Sequence, residues 1–283
     1  MHIARTISEM RAALRSRRVL NHTVGLVPTM GALHDGHRSL LQAARARCDI
    51  VAASIFVNPL QFGPNEDFAS YPRTFEADCR MLEAERVDVL FAPSAEEIYP
   101  VGASTVICVE GIRDRLDGAS RPDHFDGVAT IVAKLFHIVQ PEIAFFGQKD
   151  AAQVAVLRRM VRDLNLPVEL VVCPTVREAD GLAMSSRNRY LSPDERRQAL
   201  VLSRALQSAE TLARRGESNA VRLLDAMRKI IAAEPAVKID YMEIVDAHTL
   251  LPVEDTQAGA LVAVAAHVGT TRLIDNVVLP PIV

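Results

Sequence analysis

Tryptophan is absent from this 283-residue chain, and aromatic residues together make up 5% of it. So few aromatic faces disfavour a surface on which nucleic-acid bases stack. A basic excess is missing too. The 32 Lys and Arg stand against 35 Asp and Glu, a formal net charge of -3, which leaves a phosphodiester backbone without an evident electrostatic partner. No run approaches the roughly eighteen apolar residues needed to cross a bilayer. Residues 1–18 are charged throughout and contain no apolar core of signal-peptide type. Cytoplasmic location is the default expectation, with no membrane and no nucleic acid as partner. The four cysteines, Cys48, Cys79, Cys108 and Cys173, lie far apart and form no C-x-x-C pair. That spacing argues against zinc and a disulfide framework, and for small buried hydrophobes in a reducing compartment. Internal repeats and low-complexity tracts are also lacking. What is present is 49% hydrophobic and 24% charged, ordinary for a globular enzyme with a sizeable core, and the length is comfortable for two domains.

Short apolar runs at 23–27, 50–57, 87–91, 143–146 and 168–172 read as strands. Between them lie helical stripes, Val128, Ile131, Val132, Leu135 and Val139 in one, Val154, Leu157, Val161 and Leu164 in another. Such alternation predicts a mostly parallel sheet with helices on both faces, and a ligand site beyond the carboxyl ends of the strands. The texture changes at Pro193, which suits the first turn of a helix. Ala199, Leu202, Leu206 and Ala209 form one stripe there, and Val221, Leu224, Met227 and Ile231 a second. Strand-like runs follow at 238–245, 260–268 and 271–278, the last two around a Gly269-bearing turn that fits a hairpin. This half reads as a smaller α+β domain with few chemically suggestive clusters.

The chemistry gathers where strands end. Pro28-Thr29-Met30-Gly31-Ala32-Leu33-His34-Asp35-Gly36-His37 follows an apolar strand and precedes a helical stretch, 38–47. Strand, glycine turn and helix N-terminus make a setting for phosphate. Two imidazoles three residues apart can each donate to an anion there, and Gly36 leaves room beside them for a flat ring or a phosphate chain. After the next strand comes a proline-braced loop, Asn58-Pro59-Leu60-Gln61-Phe62-Gly63-Pro64, whose Gln61 suits hydroxyl or carboxylate recognition. The irregular stretch that follows, to Arg73, is rich enough in apolar residues to argue against disorder. Arg121 and His124 fall near a further helix start. Gly147-Gln148-Lys149-Asp150, with Gln153 on the helix behind it, offers a cation for phosphate and a carboxylate for ribose, although a structural lysine–aspartate pair satisfies the same pattern. The spacing is not that of a P-loop. Ser185, Ser186 and Arg187 lie in a glycine-bearing stretch with three arginines in thirteen residues, a phosphate clamp or a basic linker.

Taken together with Phe56-Val57-Asn58-Pro59-Leu60-Gln61-Phe62, Tyr71-Pro72-Arg73-Thr74, Phe145-Phe146-Gly147-Gln148-Lys149-Asp150 and Arg177-Glu178-Ala179-Asp180-Gly181-Leu182-Ala183-Met184-Ser185-Ser186-Arg187-Asn188, the chain resembles the pantoate–β-alanine ligase (pantothenate synthetase) family over nearly its whole length. The H-x-G-H alone is shared with other nucleotidyltransferases and class I aminoacyl-tRNA synthetases. The resemblance implies a Rossmann-like parallel-sheet nucleotidyltransferase domain, 1–176, with a smaller α+β C-terminal lid domain, 177–283. It implies ATP and Mg²⁺, the substrates pantoate and β-alanine, a pantoyl-adenylate intermediate, and a homodimer. By the same resemblance His34, His37, Lys149 and Arg187 are catalytic. ATP contacts fall to Met30, Gly31, Ala32, Leu33, His34, Asp35, Gly36, His37, Gly147, Gln148, Lys149, Asp150, Val176, Met184, Ser185, Ser186 and Arg187. Pantoate falls to Gln61, Gln153, Pro28 and Met30, with Phe56 or Phe62 as a further apolar wall, and β-alanine to Gln61. Asp78 is expected to help place Mg²⁺, and Arg121 and His124 to edge the pocket. A transferase that stops after nucleotide transfer and a silent nucleotide binder are the rival readings.

Overall fold

Runs of buried aliphatic residues form the strands of the first half, in a computed structural model that describes residues 1–18, 21–64 and 66–282. Among these residues β1 (His2–Ala4), β2 (Val24–Thr29), β3 (Ile50–Ile55), β4 (Val89–Phe91), β5 (Ile143–Gly147) and β6 (Glu169–Cys173) make one sheet, in spatial order β1-β4-β3-β2-β5-β6. Every pairing in it is parallel. The two-residue period of a strand sends alternate side chains to opposite faces. Leu26, Ala52, Phe91 and Ala144 therefore join one core, and Val27, Val51, Leu90 and Phe145 another.

Helices cover both faces, as expected for a parallel sheet. They are α1 (Ile7–Arg18), α2 (Asp35–Arg47), α3 (Phe75–Ala84), the single turns α4 (Ala95–Ile98) and α5 (Asp117–Ser120), α6 (His124–Val139) and α7 (Ala151–Asp163). Met10, Leu14, Val128 and Leu157 from α1, α6 and α7 fill the first core; Leu41, Ala44 and Leu82 from α2 and α3 fill the second. Several elements went unanticipated, β1, α1 and α3 among them. β1 is a three-residue edge strand, too short to show a period, and among the described side chains of α1 only the spaced pair Met10 and Leu14 is fully buried.

The second half pairs α8 (Pro193–Arg214) and α9 (Ala220–Ile231) with an antiparallel sheet of β7 (Val237–Val245), β8 (Ala260–Val268) and β9 (Thr271–Leu279). Ser192 Oγ accepts from Glu195 N at 3.3 Å, and the Glu195 carboxylate accepts from Ser192 N at 2.8 Å, a capping box that starts α8 at its proline. The expected β8–β9 hairpin forms, with Gly269 at φ +58°. The expected stripe of α9 is rotated. Ala220, Leu223, Met227 and Ile231 are buried, while Val221 is 60% exposed, because Ala220 N is tied to the Glu254 carbonyl and turns that face inward. The cysteine expectation also needs correction: all four are free and Cys48 and Cys173 are buried, but Cys79 is half-buried and Cys108 exposed. Cys108 lies in an extended stretch outside the regular elements, where no core covers it. Among the described residues no helix is long and apolar enough to cross a membrane.

β2 sits between β3 and β5, so the chain leaves it toward one side and returns on the other. Crevices open at such reversals beyond the carboxyl ends of the strands.

Candidate active site

The turn after β2 carries a strained backbone. Gly31 has φ +82° and Ala32 φ +51°, the second an unfavourable conformation for any residue with a Cβ. Asp78, 2% exposed on α3, holds it: its carboxylate accepts from Ala32 N at 3.0 Å and Leu33 N at 2.8 Å, and from Thr74 Oγ1 at 3.1 Å. The residue expected to help place Mg²⁺ thus braces the histidine turn in this structure. Its oxygens accept two bonds from the turn and one from Thr74, and it is not among the residues that line the cleft.

The turn delivers the two histidines. His34 Nδ1 accepts from Gly36 N at 3.2 Å, and His37 Nδ1 accepts from His34 N at 3.3 Å. The rings lie 4.1 Å apart. A ring nitrogen that accepts cannot carry the proton of a neutral imidazole, so the network assigns both protons to Nε2. Burial, and then the nearby Lys149 charge, lowers His34 to about 4; burial, and then the neighbouring His34, lowers His37 to about 3. Both are neutral at pH 7, each with an Nε2–H to donate. The space beside Gly36 belongs to His34 itself: a Cβ there would stand 2.9 Å from the His34 ring. The glycine therefore admits the histidine ring, where a ligand had been expected.

These groups open onto a cleft of about 930 Å³, ample for a nucleotide together with a small acid. Pro28 and Met30 border it from the end of β2, and His34, Gly36 and His37 from α2. Gly147, Lys149, Asp150 and Gln153 border it from β5 and α7. Val176, Met184, Ser185, Ser186 and Arg187 close it from the side of the second half. Gly31, Ala32 and Leu33 frame the turn behind the histidines and do not line the cleft. Asp35 pairs with Arg38 with its side chain 56% exposed, and Gln148 donates to Asn276; neither faces the cavity.

Gln61 lines the cleft from a single 3₁₀ turn, Pro59–Gln61. Gly127 makes the approach possible, since a Cβ there would lie 2.3 Å from the Leu60 carbonyl oxygen. Asn58, 1% exposed, donates to the Gly127 carbonyl at 3.0 Å and to Gln61 Oε1 at 3.2 Å, and accepts from Tyr99 OH at 2.8 Å. With Oε1 so engaged, the Gln61 amide offers its N–H donors, one of them near Met30 Sδ at 3.1 Å. The Gln61 carbonyl accepts from His124 Nδ1 at 2.8 Å and Arg121 Nη2 at 3.2 Å. Burial, and then the Arg121 charge, lowers His124 to about 4, so it too is neutral at pH 7. Phe56, Phe62, Arg121 and His124 all border the cleft. Phe62 packs edge-on against Phe68 and Tyr71, ring centres 5.3 and 5.8 Å away, which orders the irregular stretch.

Arg121 is held by Glu66 at 2.5 Å and Arg187 by both oxygens of Asp67, at 2.7 and 3.1 Å. Arg272 pairs with Asp117 and Asp240 at 2.7 and 2.8 Å. Lys149 lines the cleft without any such ion pair among the described residues, its charge uncommitted. Sequence reasoning missed Asn58, Glu66 and Asp67. Asn58 sat inside a quoted motif, whereas the two acids lie in irregular chain whose partners are 55 and 120 residues away. No group of three or more His, Cys, Asp or Glu able to hold a metal occurs among the described residues.

Fold and cleft are those of a Rossmann-like α/β enzyme, with hydrogen-bond donors gathered at the switch point of a parallel sheet. A family model for pantoate-beta-alanine ligase matches residues 2–278, and the chain belongs to that family, a family of ligases. The pantothenate synthetase of Acidobacterium capsulatum is 61% identical, over 99% of this chain and 97% of that protein. The crystal structure of pantothenate synthetase from Thermus thermophilus is 50% identical with a TM-score of 0.94, covering 99% of this chain and 100% of the other. That of the pantoate-beta-alanine ligase from Francisella tularensis, complexed with beta-gamma ATP and beta-alanine, is 34% identical with a TM-score of 0.81, covering 98% and 97%.

Proposed function

We propose that this chain condenses pantoate with β-alanine at the expense of ATP, in two steps through a pantoyl adenylate. In the first, a pantoate carboxylate oxygen attacks the α-phosphorus; the bond to the bridging oxygen breaks and pyrophosphate leaves with that electron pair. In the second, the β-alanine amine attacks the acyl carbon, the carbon–oxygen bond to AMP breaks, and the nitrogen loses a proton. Pantothenate and AMP are the products.

The observation that carries this reading is one cleft lined by two neutral Nε2–H donors, by a lysine ammonium without an ion pair among the described residues, and by a glutamine with its amide N–H groups on offer. Donors aimed at a departing pyrophosphate stabilise the charge that develops on it. His34, His37 and Lys149 serve that role, and Arg187 joins them from the lid with Ser185 and Ser186. Gly147 and Asp150 suit the ribose, Val176 and Met184 the adenine. Gln61 and Gln153 take the polar groups of pantoate, and Pro28, Met30 and Phe56 or Phe62 wall its dimethyl carbon. Gln61 also meets β-alanine. No covalent enzyme intermediate is needed, since holding the reactants together supplies much of the acceleration. Of the carboxylates that line the cleft, Glu66, Asp67, Asp117 and Asp240 are already engaged in ion pairs, which leaves Asp150 as the one without such a pair among the described residues. That donor set fits Mg²⁺ carried on the ATP phosphates, where Mg²⁺ commonly takes only one or two protein carboxylates. The metal would neutralise phosphate charge there. On this reading residues 1–176 bind ATP and pantoate, and 177–283 form the lid. A homodimer and a cytoplasmic location rest on the family alone.

Pantoate-dependent exchange of labelled pyrophosphate into ATP, with β-alanine left out, tests the first step. Exchange that requires pantoate is expected. Its absence from a folded, ATP-binding protein would overturn the reading.

A further inference from the structure

Strand β9 carries none of the motifs, yet it bears two adjacent polar side chains that are almost fully buried, Asp275 at 4% and Asn276 at 5% exposed. Neighbouring strand residues face opposite sides of a sheet, so β9 is covered on both faces at this point. On one face Asn276 Nδ2 donates to the carbonyls of Gln148 at 3.0 Å and Lys149 at 2.8 Å, while Asn276 Oδ1 accepts from Gln148 Nε2 at 3.1 Å. Both amide protons and the amide oxygen are thereby spent on the turn that presents Lys149. On the other face Asp275 accepts from both arms of the Arg177 guanidinium, at 2.7 and 3.0 Å. Arg177 also donates to the Gly181 carbonyl at 3.2 Å, and its backbone bridges to Ala183. Met184 to Arg187 follow immediately. One strand of the second half thus holds the Lys149 turn and the base of the lid together.

We propose that Asn276 is a positioning residue for Lys149, and that Asp275, through Arg177, fixes the lid base in the same frame. The phosphate chain is then gripped from two sides at a spacing set by consecutive residues of β9. This rests on the reading that Lys149 stabilises phosphate charge during adenylation. Losing the clamp lets the lysine backbone drift, and displacements of about 1 Å can cost about 100-fold in rate.

The test is single-turnover pyrophosphate release by the full chain with ATP and pantoate, in wild type, Asn276→Ala, Lys149→Ala and the double variant. Asn276→Ala is expected to slow release roughly 10- to 100-fold. In the Lys149→Ala background it should add less than about twofold, because residues acting through one group are not additive. Loss of general stability would multiply through in both backgrounds. Wild-type release by Asn276→Ala, or the same fold-loss in both backgrounds, overturns the proposal alone. Normal release by Lys149→Ala overturns the reading of Lys149 and the proposal with it. Should alanine prevent folding, Asn276→Asp keeps the shape while its ionised carboxylate donates to neither carbonyl, and the same comparison decides.

Discussion

The β2–α2 wall of the cleft is fixed by backbone amides donating to a buried carboxylate, whereas in the wall formed by 184–190 Arg187 is held by a part-exposed ion pair to Asp67. Asp78 accepts from two amides and a hydroxyl in a turn already strained at Ala32. Arg187 instead reaches Asp67, with 30% and 23% of the two side chains exposed. Buried amide–carboxylate bonds are little screened by salt, while a part-exposed ion pair is. One wall is therefore set before any ligand arrives and the other is releasable.

Four experiments break or sharpen that contrast. Lys149→Ala should cost about 2–4 kcal/mol in the adenylation transition state, as loss of a preorganised charge contact does, measured as the rate of pyrophosphate release; near-wild-type turnover would remove the lysine from its role. Asp78→Ala should lower stability by about 3 kcal/mol, because it strands buried amides that cannot reach water. A urea midpoint checks it, and an unchanged midpoint would mean that the turn does not depend on its carboxylate. Acid is the next probe. His34 and His37 lie at about 4 and about 3 when folded, below their ordinary 6.5, so the unfolded chain binds protons that the folded one refuses. Stability is then full above about pH 6.5 and falls as pH drops toward 4. Tm followed from pH 7 to 5 should show this, and His37→Asn should flatten it; an equal slope in the variant would count against the assignment.

The smallest effect belongs to the releasable wall. Asp67→Asn should change stability by about 1 kcal/mol or less but speed proteolysis within 184–190. Raising the salt should bring the wild type toward the variant while leaving the histidine wall unaltered. If salt loosened both walls equally, the contrast between them would fail.

How much was legible follows the same division. The strands of the parallel sheet could be read because burial on both faces makes them continuous apolar runs, and the histidine turn because strand, glycine and helix start are neighbours in sequence. The roles of Gly36 and Asp78 could not. Both depend on which atom occupies a space, the ring of His34 beside Gly36 and the amides of residues 32 and 33 against a carboxylate 46 residues away. The face of α9 shifted by one position because Met227 and Ile231 suit either stripe, and an anchor at Glu254 chose between them.

The sequence by itself determined the alternation of strands and helices, a helix following the histidine turn and another starting at Pro193, and the grouping of polar and charged residues at strand ends, because periodicity and capping act over a few residues. Only the tertiary structure decided which ring nitrogens hold protons, which arginines are already engaged, and that Asp275 and Asn276 of the last strand grip both Arg177 and the Lys149 turn. Those outcomes depend on partners more than a hundred residues apart in places, and on burial that exists only once both halves have folded.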